Sequence, residues 1–260
     1  HMNTNLTTSC ADLGVIDLVH YGLNQVFELV LQPPGWERWR PGQFVMLRPA
    51  AWELSPLLPR PFSISSVDES GLHILFQAVG KGTRLMAGLG KGERVVVWGP
   101  LGTGFDLEGQ GPVLLLAGGM GIAPMVGLVR DHHQDMEMEL VFGHRLDLSC
   151  YPFHSLSRLI RAEAHQQESM EDIEKFVTYL REKMAGYVPA GRVLACGPNP
   201  FLKAVQTIAL DLGLDTQLSL ERRMACGVGA CLGCVVEKKG EGLVQSCTRG
   251  PVFRAQDVVL

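Results

Sequence analysis

The hydrophobic pattern changes character near Pro112. Before it, apolar positions come in short runs at 26–31, 43–47, 72–79 and 94–97. Pro- and Gly-rich breaks separate them, such as Gln32-Pro33-Pro34-Gly35 and Arg40-Pro41-Gly42-Gln43. Short strands with frequent turn signals predict a small β-barrel or sandwich over about residues 13–107. After Pro112 the run 113–117 is apolar without a break, as a strand buried on both faces would be. A glycine turn and a helix over 125–131 follow, then a second strand at 139–143. Residues 155–185 read as polar and helical. Within them Ser169-Met170-Glu171-Asp172 has the form of a capping box opening a helix through about Lys183. A short buried strand at 192–196, a helix at 201–212 and a last strand at 217–221 complete an α/β pattern, and a cysteine-rich module fills 222–260.

That module carries the most specific chemistry. Cys226, Cys231, Cys234 and Cys247 are spaced C-x4-C-x2-C-x12-C. Thiolate is the ligand form for 2Fe–2S clusters, and this is the spacing of the plant-type ferredoxins. The glycines between the sulfurs permit a tight loop with backbone N–H groups aimed at sulfur. Zinc is the alternative metal, although structural zinc sites usually come as two close Cys pairs. A disulfide needs an oxidising compartment, and seven cysteines cannot all pair within one chain. A reducing cytoplasm suits the set. Cys10 and Cys150 read as small buried hydrophobes.

Weaker signals precede it. Arg60-Pro61-Phe62-Ser63 offers a rigid guanidinium fork to a pyrophosphate and a hydroxyl to a ring edge. Gly80-Lys81-Gly82-Thr83 opens a possible helix at 84–88, whose N-terminus suits an anion. Gly99-Pro100-Leu101-Gly102 reads as the end of the barrel. The loop Gly118-Gly119-Met120-Gly121-Ile122-Ala123-Pro124 joins a strand to a helix in the manner of a dinucleotide phosphate loop, though it is not G-x-G-x-x-G. An ordinary strand–helix turn is the alternative. Arg145, beyond the second strand, could touch a ribose or phosphate, or be solvated. Cys196-Gly197-Pro198 lies at a strand's carboxyl end, where open α/β sheets bind ligands. Its thiol could lie against a nicotinamide or simply be buried.

Bulk properties narrow the picture further. The 260 residues suggest two domains with a small appendage. A net charge of −4 gives no reason to expect nucleic-acid binding. The apolar runs are too short for membrane insertion, and the start reads as a tag remnant, His1-Met2, without a signal peptide.

Taken in order, these motifs resemble the ferredoxin–NADP reductase superfamily. More narrowly they are similar to the electron-transfer subunits of dihydroorotate dehydrogenase B. The run from Arg223-Met224-Ala225-Cys226 to Cys234-Val235-Val236, with Cys247 and Gly250-Pro251-Val252-Phe253, carries the narrower likeness, which extends from about Asp17 to Phe253. The resemblance implies a multidomain β plus α/β fold. Its parts are an antiparallel flavin-binding β-barrel at 1–109, a parallel-sheet NAD-binding α/β domain at 110–219 and a 2Fe–2S domain at 220–260. It implies that Arg60, Pro61, Phe62, Ser63, Leu75, Phe76, Gln77, Gly82 and Thr83 hold FAD. Gly118, Gly119, Gly121, Cys196, Gly197 and Pro198 would face NAD, and the four cysteines would ligate the cluster.

It further implies a cytoplasmic oxidoreductase of pyrimidine biosynthesis. Its partner would be an FMN-containing dihydroorotate dehydrogenase catalytic subunit, in a heterotetramer of two plus two. No acid–base residue of this chain is nominated, because the substrate chemistry would lie on the partner. The same architecture could instead serve a sulfide dehydrogenase, a hydrogenase or an NADH-ferredoxin:NADP oxidoreductase. A third reading is a zinc-bearing binding module with an empty barrel. Two departures from the family pattern stand out. Phe76-Gln77 replaces a Tyr-Arg-like pair, removing a cation near the flavin phosphates. A charged helix at 162–186 replaces a short Asp- and Gly-rich stretch, which predicts a rebuilt or partly lost nicotinamide-nucleotide site.

Overall fold

A computed structural model describes residues 9–23 and 25–260. The N-terminal part contains β1 (Ser9–Tyr21), β2 (Val26–Leu31), β3 (Phe44–Pro49), β4 (Arg60–Ser63), β5 (Ser66–Asp68), β6 (Gly71–Gln77), the short helix α1 (Lys81–Met86) and β7 (Arg94–Leu101). Its strands form one seven-stranded antiparallel sheet in the order β4-β3-β7-β1-β2-β6-β5. The two end strands, β4 and β5, are separated in the chain only by Ile64 and Ser65. That short link closes the sheet on itself, so the predicted barrel is formed. Leu29, Leu31, Leu47, Ile64, Leu72 and Ile74 fill its interior with no exposed surface. Cys10, expected to be buried, is exposed on β1. It falls on a strand that the periodicity did not mark, because β1 alternates only weakly.

The following elements are β8 (Val113–Gly118), α2 (Ala123–His132), β9 (Met138–His144), α3 (Phe153–Leu156), β10 (Arg161–Gln166), α4 (Met170–Ala185), β11 (Arg192–Cys196), α5 (Asn199–Leu212) and β12 (Asp215–Ser219). They build a sheet ordered β10-β9-β8-β11-β12-β15, where β15 is Val252–Arg254. All its pairings are parallel except that of β15. The unbroken apolar run of β8 is explained by its central place. Val113, Leu115 and Ala117 pack with α2, while Leu114 and Leu116 pack with α4 and α5 on the other face. Each face therefore demands its own hydrophobic residues.

Two expectations need correction. Residues 161–166 are the edge strand β10, paired in parallel with β9, and not part of a helix. Its sequence, Arg-Ala-Glu-Ala-His-Gln, is half-buried at 162–165, exposed at both ends, and carries no strong β-formers, so its polarity imitates a solvated helix face. The helix begins at Met170, where Ser169 and Asp172 cap each other as the sequence predicted. Strand β12 is also not the last. A hairpin of β13 (Val235–Lys238) and β14 (Gly242–Gln245) follows, then the single-turn helix α6 (Ser246–Arg249) and β15, which adds an antiparallel edge to the second sheet.

The barrel and the second sheet meet along α2. The Gly127 N–H donates to the Ser65 carbonyl at 2.7 Å, and Arg130 reaches the Ser66 hydroxyl at 3.3 Å. A Cβ at Gly127 would sit 2.6 Å from that Ser65 oxygen and 2.5 Å from the Trp39 ring. Glycine is what lets α2 touch the backbone of the β4–β5 link here. A second polar network backs this seam. His73 on β6 contacts Glu28 at 2.9 Å and Ser70 at 2.8 Å, and Tyr21 donates to Glu28 at 2.9 Å.

Candidate functional site

A cleft of about 970 Å³ opens between the barrel and the carboxyl ends of the parallel strands. The barrel contributes Arg60, Pro61, Phe62 and Ser63 from β4, and Leu75, Phe76 and Gln77 from β6. Thr83 adds the edge of α1. From the other side come Gly118, Gly119 and Gly121 at the end of β8, and Cys196, Gly197 and Pro198 at the end of β11. Residues nominated separately along the sequence thus share one cavity. Gly82 is the exception, being buried outside the lining. A Cβ there would come within 3.1 Å of both Arg60 Nε and the Trp52 ring, so Gly82 acts by making room for Arg60.

The local geometry differs from expectation in one place. Helix α1 starts at Lys81, so Gly82 and Thr83 lie inside its first turn and not ahead of it. The Thr83 hydroxyl oxygen accepts from the Val79 and Gly80 N–H groups, each at 3.0 Å. Those two N–H groups are therefore already engaged by the protein. Arg60 is braced by its Nη1, which donates to the Leu58 and Pro59 carbonyls at 2.8 and 3.2 Å, and its guanidinium lies 5.9 Å from the Trp52 ring centre. A planar, preorganised guanidinium of this kind suits a pyrophosphate.

On the opposite wall, residues 119–122 form a single turn of 3₁₀ helix leading into α2, with Pro124 in its first turn. A Cβ at Gly121 would collide with the Cys196 carbonyl. The glycine loop and the Cys-Gly-Pro turn are thus in backbone contact, and they form one concave surface at the centre of the sheet. Burial raises the Cys196 thiol to about 12 against the smaller opposing effect of Ser219. It stays protonated at neutral pH. Arg145 is exposed and lies outside the cleft lining.

Cys234 and Cys247 pack in one apolar cluster, and the loop carrying Cys226 and Cys231 is tied to it by the Gly229 N–H on the Cys247 sulfur. Backbone N–H groups point at sulfur: Val228 and Cys231 to Cys226 at 3.4 Å each, and Gly229 to Cys247 at 3.1 Å. Positive φ at Gly227, Gly229 and Leu232 turns the loop inward. Burial opposes ionisation of Cys226, but these N–H groups lower it to about 6. Cys247 is pushed up to about 12, first by burial and then by the Cys234 thiol.

A two-iron centre takes four thiolates with N–H donors to its sulfurs, and this loop supplies four cysteines with such donors. A single tetrahedral zinc would gather all four sulfurs round one point. Among the described residues no group of three or more His, Cys, Asp or Glu lies close enough round one point to hold a single metal ion, iron or zinc, so the spacing and the N–H donors carry the iron–sulfur reading.

The chain aligns with curated proteins along nearly its whole length. It is 36% identical over 241 residues to the dihydroorotate dehydrogenase B (NAD(+)) electron transfer subunit of Caldanaerobacter subterraneus subsp. tengcongensis, covering 91% of this chain and 93% of that one. It belongs to the family of dihydroorotate dehydrogenase B electron transfer subunits. The corresponding protein of Clostridium acetobutylicum is 32% identical over 236 residues, 85% of this chain and 87% of that one. The family model of the iron–sulfur cluster binding domain of dihydroorotate dehydrogenase B matches residues 221–259. The structure of an NADH-dependent reduced ferredoxin-NADP oxidoreductase superposes with a TM-score of 0.81 at 24% identity, covering 96% of this chain and 90% of that one. A ferredoxin NADP+ reductase from Neisseria gonorrhoeae, with bound FAD and NADP, gives 0.64 at 17% identity, over 78% of this chain and 92% of that one.

In this electron transfer subunit the cleft has a third wall that the sequence did not mark. Residues 219–224, from the end of β12 toward the first cysteine, line it, as do Phe44 and Asn199. Arg222 and Arg223 bring cationic side chains to a cleft whose Gln77 is neutral. Arg222 Nε is buried with no hydrogen-bond partner among the described residues, an unmet donor that an anionic ligand would satisfy. The only advance signal was adjacency to the cysteine motif.

Proposed function

We infer that this chain relays electrons between a nicotinamide nucleotide and a partner dehydrogenase, using FAD and a 2Fe–2S cluster. The observation that carries the reading is the placement of the cysteine loop. Cys234 and Cys247 pack with Phe44, Met46 and Leu101 of the barrel, and Phe44 also lines the cleft. Flavin supplies two-electron exchange with nicotinamide and one-electron exchange with an iron–sulfur centre. Arg60 and Ser63 would hold FAD, with Leu75, Phe76 and Gln77 against it and Thr83 and Gly82 shaping its phosphate end. Gly118, Gly119 and Gly121, with Cys196, Gly197 and Pro198, would seat NAD. The neutral Cys196 thiol serves as a packing neighbour there, because burial keeps it from acting as a nucleophile at neutral pH. Cys226, Cys231, Cys234 and Cys247 would ligate the cluster. The division at 1–109, 110–219 and 220–260 follows these three sites, with β15 returning from the last segment to the second sheet.

The partner in this reading is an FMN-containing catalytic subunit that oxidises dihydroorotate, assembled as two plus two in the cytoplasm. Its docking face is the outer side of the cysteine loop, where Cys231 is exposed beside Val228 and Leu232, which are 55% and 57% exposed. Apolar exposure of this kind beside a redox site is what a partner would cover. No helix among the described residues is long and apolar enough to cross a membrane.

The test is purification of the complex from its native host and assay of dihydroorotate-dependent NAD⁺ reduction. Co-purification with an FMN protein and NADH formation on adding dihydroorotate is the expected result. An intact complex that reduces NAD⁺ from another donor, and not from dihydroorotate, overturns the partner assignment.

A further inference from the structure

Two side chains belong at once to the cleft and to the packing around the cysteines. Phe44 and Met224 both line the cleft, and both pack in the apolar cluster that holds Cys234 and Cys247. They come from distant parts of the chain. Phe44 opens β3, and its register partner across the ladder is Ser63 on β4, one of the residues facing the cleft. Met224 lies two residues before Cys226. The remaining members of this cluster are Met46, Leu101 and Trp98. Trp98 also donates from its indole to the Cys226 carbonyl at 3.4 Å, tying the loop to the barrel wall.

Resting on the functional reading above, we propose that Phe44 and Met224 are the bridge through which single electrons cross between the cleft and the cysteine-bound centre. Electron tunnelling weakens steeply across empty or water-filled gaps and less through closely packed atoms. Phe44 is 3% exposed, and a Cβ on neighbouring Gly102 would meet its ring at 2.9 Å, so it has packed matter against it. Met224 brings a polarisable thioether that fills irregular space between the two sites. One electron leaves the reduced flavin for the oxidised cluster, or the reverse when the partner subunit supplies the reductant. No bond in either side chain forms or breaks. The two residues set the rate of the crossing, while hydrogen bonds from the cysteine loop and its burial set the potential.

The experiment compares wild type with Met224→Ala, Met224→Leu and Phe44→Leu, each reconstituted with FAD, iron and sulfide. Flavin bleaching by NADH is followed by stopped flow, and the reduced cluster by rapid-freeze electron paramagnetic resonance. The quantity read is the rate of cluster reduction divided by the rate of flavin reduction in the same sample, so a change in nucleotide binding cancels. Redox titration and iron and flavin content accompany it. Met224→Ala lowers the ratio at least tenfold, Phe44→Leu lowers it less, and Met224→Leu restores most of it. Cluster potential and line shape stay as in wild type. A ratio unchanged in both Met224→Ala and Phe44→Leu overturns the bridge, as does a slowing fully accounted for by a shifted potential. Failure of the functional reading looks different, because wild type itself would then take up no flavin or no iron.

Discussion

The barrel has two neighbours, and it packs closely against one while leaving a cleft open beside the other. Toward the cysteine loop Met46, Leu101 and Phe44 pack on Cys234 and Cys247, with hydrogen bonds from the Trp98 indole to the Cys226 carbonyl and from the Thr103 N–H to the Gly250 carbonyl. Toward the nucleotide sheet Val26 and Leu75 pack in the apolar cluster of α2 and β8, hydrogen bonds run from Gly127 to Ser65 and from Arg130 to Ser66, and the cleft lies alongside. A dry, close-packed seam holds two permanent centres at fixed separation. A seam beside an open cleft suits a ligand that arrives and leaves. The difference teaches that relay and exchange are built into different faces of one scaffold.

The strongest way to break this contrast is to remove a sulfur from the dry seam. Cys234→Ser is expected to abolish iron and acid-labile sulfide incorporation while FAD still binds, as read by metal analysis and flavin fluorescence. Loss of both cofactors together would show that the two sites fold as one unit. Next comes the seam with α2. Gly127→Ala forces a methyl against the Ser65 carbonyl and Trp39. Overpacking of this kind typically destabilises by about 1–3 kcal/mol. Its functional signature is slower flavin reduction by NADH with iron content unchanged, because α2 carries the glycine loop. Denaturant titration and stopped flow check the two parts.

Smaller is the effect of pH through His73. Its hydrogen bond to Glu28 raises its pKa above the usual 6.5, against opposing burial, with Asp68 adding charge. For Glu28, burial raises the carboxyl, but hydrogen bonds from His73 and Tyr21 and the charges of His73 and Arg130 lower it below its usual range on balance. A group whose folded pKa is raised stabilises fully below its unfolded pKa and loses that contribution as pH rises through the folded pKa. Glu28 does the reverse, its contribution being lost as pH falls through its folded pKa. The two contributions are therefore both full between the ordinary carboxylate range and 6.5, and that of His73 is lost as pH rises from there through its raised pKa. The stability gap between wild type and His73→Gln, measured by urea unfolding, should narrow as pH rises past 6.5 and beyond the raised value. Smallest is Ser169→Ala, which removes the cap of α4 on the outer edge of the nucleotide sheet. A lost cap costs about 1 kcal/mol, seen as a lowered melting temperature with cofactor content unaffected.

How much of this could be read from the chain depended on how local each signal was. The run of β8 declared itself because both its faces are core, and the Ser169–Asp172 cap because its two partners are three residues apart. The cysteine spacing belongs to the same kind. Strand β10 hid because an edge strand can be polar, and β15 because three residues carry no period. The third wall of the cleft was hidden for a deeper reason. Phe44, Asn199 and Met224 meet only when barrel, sheet and cysteine loop are assembled, and no spacing in the sequence records that meeting.

The most direct measurement is iron, zinc and acid-labile sulfide analysis of the anaerobically reconstituted chain, with flavin determined in the same sample. The account predicts roughly two irons and two sulfides per chain, together with FAD and no zinc. Stoichiometric zinc without sulfide, or an iron centre in protein that refuses flavin, would contradict it.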